Sequence, residues 1–145
     1  MYRTIVLALD DSEGAERAIP VAEEYARRDG ARIVVAHART RALETAIEAT
    51  LHNHVDALSQ SGIESSLEVR DSLEGEEAKA IADVAHDAEA GLIVIACRGR
   101  GPFAGAILGS TTQRLLPIAT CPVLVVPGIH TGHGVEAADS SAIEA

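Results

Sequence analysis

Short apolar runs alternate along the chain with longer stretches whose apolar residues recur every three or four positions. This is the pattern of strands buried on both faces alternating with amphipathic helices. Thr4 to Leu9 is the first such run, bounded by Asp10-Asp11-Ser12. Glu13 to Arg28 carries Ala15, Ala18, Ile19, Ala22 and Ala26 at helical spacing, with Ser12 as a candidate N-cap and Gly30 past the end. Pro20 inside that stretch predicts either a kink or a later helix start. A second buried strand over Arg32 to Ala38 precedes a helix from Arg41 to Ser61, whose stripe is Leu43, Ile47, Leu51, Val55 and Leu58. Ser65 to Arg70 alternates Leu67 and Val69 with polar neighbours, as a strand nearer a sheet edge does. Glu74 to Glu89 reads as a helix with an acidic first turn, and Leu92 to Ala96 as another buried strand. Gly109 to Ile118 reads as a short helix, and Cys121 to Pro127 as the last strand.

Five strands alternating with four helices predict an α/β fold: a five-stranded parallel open sheet, Rossmann-like, flanked by helices on both faces and joined by right-handed crossovers. At 145 residues the chain has the length of one domain. The pattern occupies residues 1–127; the stretch 128–145, with Gly, Ser, Ala and acidic residues, has no periodicity and is expected to be a disordered tail.

Composition narrows the function. A net charge of −10 repels polyanions, and the only aromatic residues are Tyr2, Tyr25 and Phe103, so neither a basic groove nor a stacking platform for nucleic acid is present. No apolar run approaches the roughly 18 to 20 residues that span a bilayer. Two cysteines, Cys97 and Cys121, do not make a disulfide framework, and a cytoplasmic location with reduced thiols is expected.

In an open α/β sheet the ligand crevice lies beyond the carboxyl ends of the strands, where strand order reverses. Three features follow strands here: Asp10, Ala38 and the glycine-rich stretch from Cys97 to Leu108. Glycines let backbone amides approach an anion closely, and Gly109, Ser110 and Thr111 open a helix whose free N–H groups and hydroxyls suit phosphate. Arg98 and Arg100 add positive charge. The Walker pattern is absent, since Lys79 is the only lysine and lies in a helix, and G-x-G-x-x-G after the first strand is absent too.

Gly99, nine residues, then Gly109-Ser110, between an apolar strand and a helix followed by Cys-Pro-Val-Leu-Val-Val-Pro, resembles the universal stress protein family. The resemblance runs from Ile5 to Pro127. Nucleotide-binding members carry G-x2-G-x9-G-[ST], and this chain departs at the first glycine, which is Ala96. What the resemblance implies is ATP binding, with Asp10 on the adenine or ribose side and Ala8 and Leu9 as neighbouring wall. Ala38 then faces the adenine, Ile95 and Ala96 flank the ribose, and Gly99, Gly109, Ser110 and Thr111 cradle the phosphates. Mg²⁺ would accompany the triphosphate near Asp10 and Asp11. The resemblance also implies a homodimer in which Val123 to Val126 pairs antiparallel with its symmetry mate, with Pro122 and Pro127 limiting the pairing.

The departure at Ala96 keeps a second reading open: a nucleotide-free dimeric interaction module of the same fold. A slow ATPase is a third, because nothing in the loop supplies a base or a positioned water for faster hydrolysis. Asp10, Asp11 and Asp71 mimic the acidic pocket of a receiver domain, but the lysine such a domain needs after its last strand is missing. His52 and His54 are two apart and do not share a helix face, while His37 and His86 stand singly, so all four read as ordinary structural residues. His130 and His133 fall in the tail. Cys97 borders the glycine-rich loop and reads as a buried inert thiol, with a redox sensor as the alternative if it is exposed with a lowered pKa; Cys121, before a proline at a strand start, reads as core.

Overall fold

Every side chain of Thr4–Ala8 is buried, which requires a strand neighbour on each side and cover on both faces. The computed structural model, which describes residues 1–10, 14–40, 45–97 and 109–127, supplies both. Asp11, the candidate cap Ser12, Leu43, the loop bearing Arg98, Gly99 and Arg100, and the tail from Gly128 with His130 and His133 lie outside the described residues. The strands are β1 (Thr4–Ala8), β2 (Arg32–Arg39), β3 (Ser65–Asp71), β4 (Leu92–Ala96) and β5 (Val123–Val126). The helices are α1 (Ala18–Asp29), α2 (Thr45–Gln60), α3 (Glu77–Asp87) and α4 (Ser110–Leu115). All strand pairings are parallel, in the order β3-β2-β1-β4-β5. The alternating strand β3 is an edge, as its sequence predicts, and β5 is the other.

Side chains that alternate across the sheet sort into two cores. Ile5, Leu7, Ile33, Val35 and Val94 meet α1 and α2 through Ala18, Ala22, Leu51 and Leu58. Val6, Val34, Ile93 and Ile95 meet α3 and α4 through Ile81, Val84 and Leu115. Among the described residues, no helix is long and apolar enough to cross a membrane.

Helix boundaries differ from the periodicity for local reasons. A 3₁₀ turn over Ala15–Arg17 precedes α1, so the later start predicted from Pro20 is the one adopted. The proline then sits in the first turn, where a helical N–H has no partner anyway. Gly30 closes α1 at φ +68°, its N–H returning to the Ala26 carbonyl. α3 begins at Glu77 rather than Glu74, because Gly75 turns the chain at φ +90° and its N–H donates to Glu77 Oε1 at 3.0 Å. α4 stops at Leu115 instead of Ile118. Pro117 has no N–H with which to extend it.

Candidate functional site

The chain passes from β1 to its neighbour β2 and on to β3, then crosses back to β4 on the other side of β1. Strand order therefore reverses at β1, and the crevice of such a sheet opens beyond the carboxyl ends of β1 and β4. The strand-end residues expected from the sequence are brought together there. Ala8 ends β1, buried, paired with Ala36 on one side and Ile95 on the other. Leu9 is buried against the α1/α2 core, and its N–H donates to the Ala36 carbonyl at 3.0 Å. Asp10 is exposed just beyond. Ala38 is half-buried in β2, and Ala96 is half-buried at the end of β4, packed against the α1/α2 core.

The remaining described residues of the expected set stand at the start of α4. Gly109 precedes α4, and its carbonyl accepts from Gln113 at 3.0 Å. Ser110 is exposed and Thr111 half-buried in the first turn, and α4 packs on the α3 side of the sheet through Leu115.

A cavity of about 250 Å³ opens next to Leu9 and Asp10. Its floor is apolar, from Leu9, Ile47 and Leu51; its rim is polar, from Asp10, Glu16, Thr50 and His54. Ile47, Thr50, Leu51 and His54 are spaced three, four and seven apart, so they occupy one face of α2. Glu16 comes from the 3₁₀ turn, and its Oε2 lies 3.4 Å from His54 Nε2. Sequence reasoning missed Glu16, Thr50 and His54. The available signal was the two polar residues inside the apolar stripe of α2.

His37 holds the strand end that carries Asp10. It is 4% exposed, and its Nδ1 donates to the Leu9 carbonyl at 3.0 Å across the β1/β2 pairing. One strand further out, Arg39 Nε donates to Asp71 Oδ1 at 2.7 Å, and its Nη1 donates to Glu48 of α2. The guanidinium holds the Asp71 carboxyl below the usual carboxylate range, and the two carboxylates push the Arg39 pKa up. Cys97 is half-buried, its N–H donating to the Val126 carbonyl at 2.9 Å, and burial pushes the Cys121 thiol pKa up. Among the described residues, no group of three His, Cys, Asp or Glu is placed to hold a metal ion.

Known proteins agree with this architecture. The sequence profile of the universal stress protein family matches residues 1–127. A universal stress protein of Thermus aquaticus, encoded in the QAH/OAS sulfhydrylase 3′ region, is 35% identical over 140 residues, covering 87% of this chain and 99% of its own. A universal stress protein of Archaeoglobus fulgidus, solved in complex with dAMP, is 28% identical with a TM-score of 0.65, covering 86% of this chain and 98% of its own. Another universal stress protein, solved in complex with cAMP, has a TM-score of 0.71 at 23% identity, over 88% of this chain and 98% of its own, and so shares the fold.

Proposed function

The chain belongs to the universal stress protein family, and from that membership we propose that it binds ATP at the carboxyl ends of β1, β2 and β4 and acts as a dimeric, stress- or energy-responsive regulator. The observation that carries the reading is the cavity at the switch point, with Asp10 on its rim and an apolar floor beneath. The relative solved with dAMP supports it, since 28% identity over nearly the whole of both chains accompanies a bound adenine nucleotide there.

The nucleoside end enters the cavity, where Asp10 accepts from a hydroxyl or amino group, Leu9 gives one wall and Ala8 with Ala38 the neighbouring strand ends. Ile95 and Ala96 flank the ribose. Gly109, Ser110 and Thr111, with Arg98, Gly99 and Arg100 from the preceding loop, take the phosphates. Asp10 and Asp11 are the residues that would stand near Mg²⁺. That ion needs few protein ligands, because it keeps waters and binds through one or two carboxylates and phosphate oxygens.

Titration of the purified protein with Mg-ATP tests the reading: saturable heat is expected, and none up to millimolar ligand refutes it. Ala96 favours a second reading, a nucleotide-free module of the same fold, because its methyl stands on the α1/α2 side of β4 where the family pattern has glycine. Adenine nucleotide retained through gentle purification separates the two. Dimer formation runs through β5, which pairs only with β4 among the described strands and so offers an open edge. Sedimentation at micromolar protein should show the dimer, and a pure monomer would remove this part.

A further inference from the structure

One wall of the cavity beside Leu9 is α2, through Ile47, Thr50, Leu51 and His54. The two ends of that helix are held differently. Toward its carboxyl end, Leu58 is buried in the core, and Ser65 of β3 donates its hydroxyl proton to the Val55 carbonyl at 3.0 Å. Toward its amino end, Ile47 is half-buried, and beside it Glu48 accepts from Arg39 Nη1. Arg39 is itself anchored before it reaches the helix. Its carbonyl accepts from the Ser72 N–H at 2.9 Å, and its Nε donates to Asp71 Oδ1 at 2.7 Å, so backbone and guanidinium are both tied to the sheet edge. A guanidinium is a planar fork, and fixing Nε on one carboxylate also aims the remaining donors.

We propose that Arg39 is a positioning residue that, through Glu48, holds the amino-terminal turns of α2 where they form the cavity wall, and so sets nucleotide affinity without touching the ligand. The proposal rests on the nucleotide-binding reading and names a residue on which that site depends. A ligand that binds only the seated arrangement of the wall loses affinity in proportion to the fraction of molecules that are so seated; if that fraction falls to about a fifth, Kd rises about fivefold. Global stability responds less. A solvent-exposed ion pair adds little to it, and the buried Leu51 and Leu58 keep the helix on the sheet when the tie is cut.

Mg-ATP is titrated calorimetrically into the unaltered protein, Arg39→Met, Arg39→Lys, Glu48→Met, the double variant of Arg39→Met with Glu48→Met, and Arg70→Met, which removes an ion pair to Asp87 of α3 instead. Arg39→Met should raise Kd about fivefold or more while lowering the melting midpoint by less than about 4 °C. Glu48→Met should do the same, and the double variant should bind no more weakly than either, because each change breaks one tie. The first change removes a cation and the second an anion, so a direct effect of charge on the phosphates would move them in opposite directions. Arg39→Lys keeps a single charge-assisted contact and should recover part of the affinity, and Arg70→Met should leave it unchanged. Without ligand, amide exchange at residues 49–51 of α2 should quicken in Arg39→Met and stay as it was at residues 58–60. Opposite shifts, additive losses, or an unchanged Kd in Arg39→Met overturn the proposal and leave nucleotide binding standing. Absence of heat from Mg-ATP on the unaltered protein overturns the binding reading and this proposal with it.

Discussion

Replacing His37 with leucine removes the hydrogen bond that holds the Leu9 carbonyl at the point where the site is built. The imidazole is 4% exposed on β2, and its Nδ1 lies 3.0 Å from the carbonyl of Leu9, the residue before Asp10. A carbonyl only accepts, so Nδ1 carries the proton. Leucine fills a similar space without an N–H, so the Leu9 oxygen loses this donor in a buried setting. A buried acceptor left unsatisfied costs about 1–3 kcal/mol. The greater apolarity of leucine offsets part of that, so a net loss of about 1–2 kcal/mol is expected. At roughly 2–4 °C per kcal/mol for a domain near this size, the melting midpoint at neutral pH should fall by roughly 2–8 °C. Thermal unfolding followed by circular dichroism measures it. His37→Asn retains an amide N–H and should recover part of the loss. His86→Leu, on an exposed position of α3, should stay within about 0.5 kcal/mol of the unaltered protein. Nucleotide affinity should follow the same order, because the carbonyl held by His37 directly precedes Asp10. A leucine variant that melts with the unaltered protein would refute the reasoning.

Asp71 is held below the usual carboxylate range chiefly by the hydrogen bond from Arg39, so their pair contributes fully above the unfolded value near ~3.9 and is lost as pH falls through the folded value. The midpoint difference between the unaltered protein and Asp71→Asn should therefore close on acidification from about pH 4 downward, by an amount kept small by solvent screening; a difference independent of pH would contradict the assignment. Asp29, lowered first by the backbone N–H of Tyr2, should show the same sign in Asp29→Asn. Gly30→Ala places a methyl at φ +68° with nothing within 4 Å, so only backbone strain is added and about 1–2 kcal/mol should be lost in urea unfolding. Ala96→Gly should strengthen Mg-ATP binding, by roughly five- to 150-fold if the methyl costs about 1–3 kcal/mol; unchanged affinity on calorimetry would show that the methyl obstructs nothing.

Element type was legible because burial on both faces leaves continuous apolar runs, as in Ile33 to Ala36, while one-sided burial leaves alternation, as in Ser65 to Arg70. The later start of α1 could be read from Pro20, since the missing N–H admits few positions. The starts and stops of α3 and α4 were less legible, because they depend on the Gly75 turn, on the Glu77 carboxylate that caps it, and on Arg114, whose Nη1 donates to the Gly75 carbonyl at 2.6 Å across 39 residues. Asp10, Ala38 and Ala96 were visible as residues that follow strands. The far wall of the cavity was not, because Thr50 and His54 come to line it with Asp10 only once α2 has packed on the sheet. His37 looked ordinary for a similar reason: its partner, the Leu9 carbonyl, is a backbone atom 28 residues earlier.

Strand order also decides what kind of chemistry the carboxylates allow. Asp10 and Asp71 both follow or end strands, as the acids of a phosphoryl-accepting metal pocket would. In the doubly wound order 2-1-3-4-5, strands one and three are neighbours, and residues at their ends converge. Here β2 lies between β1 and β3. With neighbouring strands about 4.8 Å apart, the ends of β1 and β3 are separated by roughly 10 Å. Arg39 fills the interval and engages Asp71 and Glu48 together, so the acid of β3 ties the sheet edge to α2 instead of joining Asp10. Asp10 lines a cavity with Leu9, Ile47 and Leu51 beneath and Glu16, Thr50 and His54 around it. Among the described residues, no group of three His, Cys, Asp or Glu converges there to hold a divalent ion through the protein itself. Paired in this order, the strands set the acids that follow β1 and end β3 on either side of β2, with Asp10 beside the cavity and Asp71 bound to Arg39.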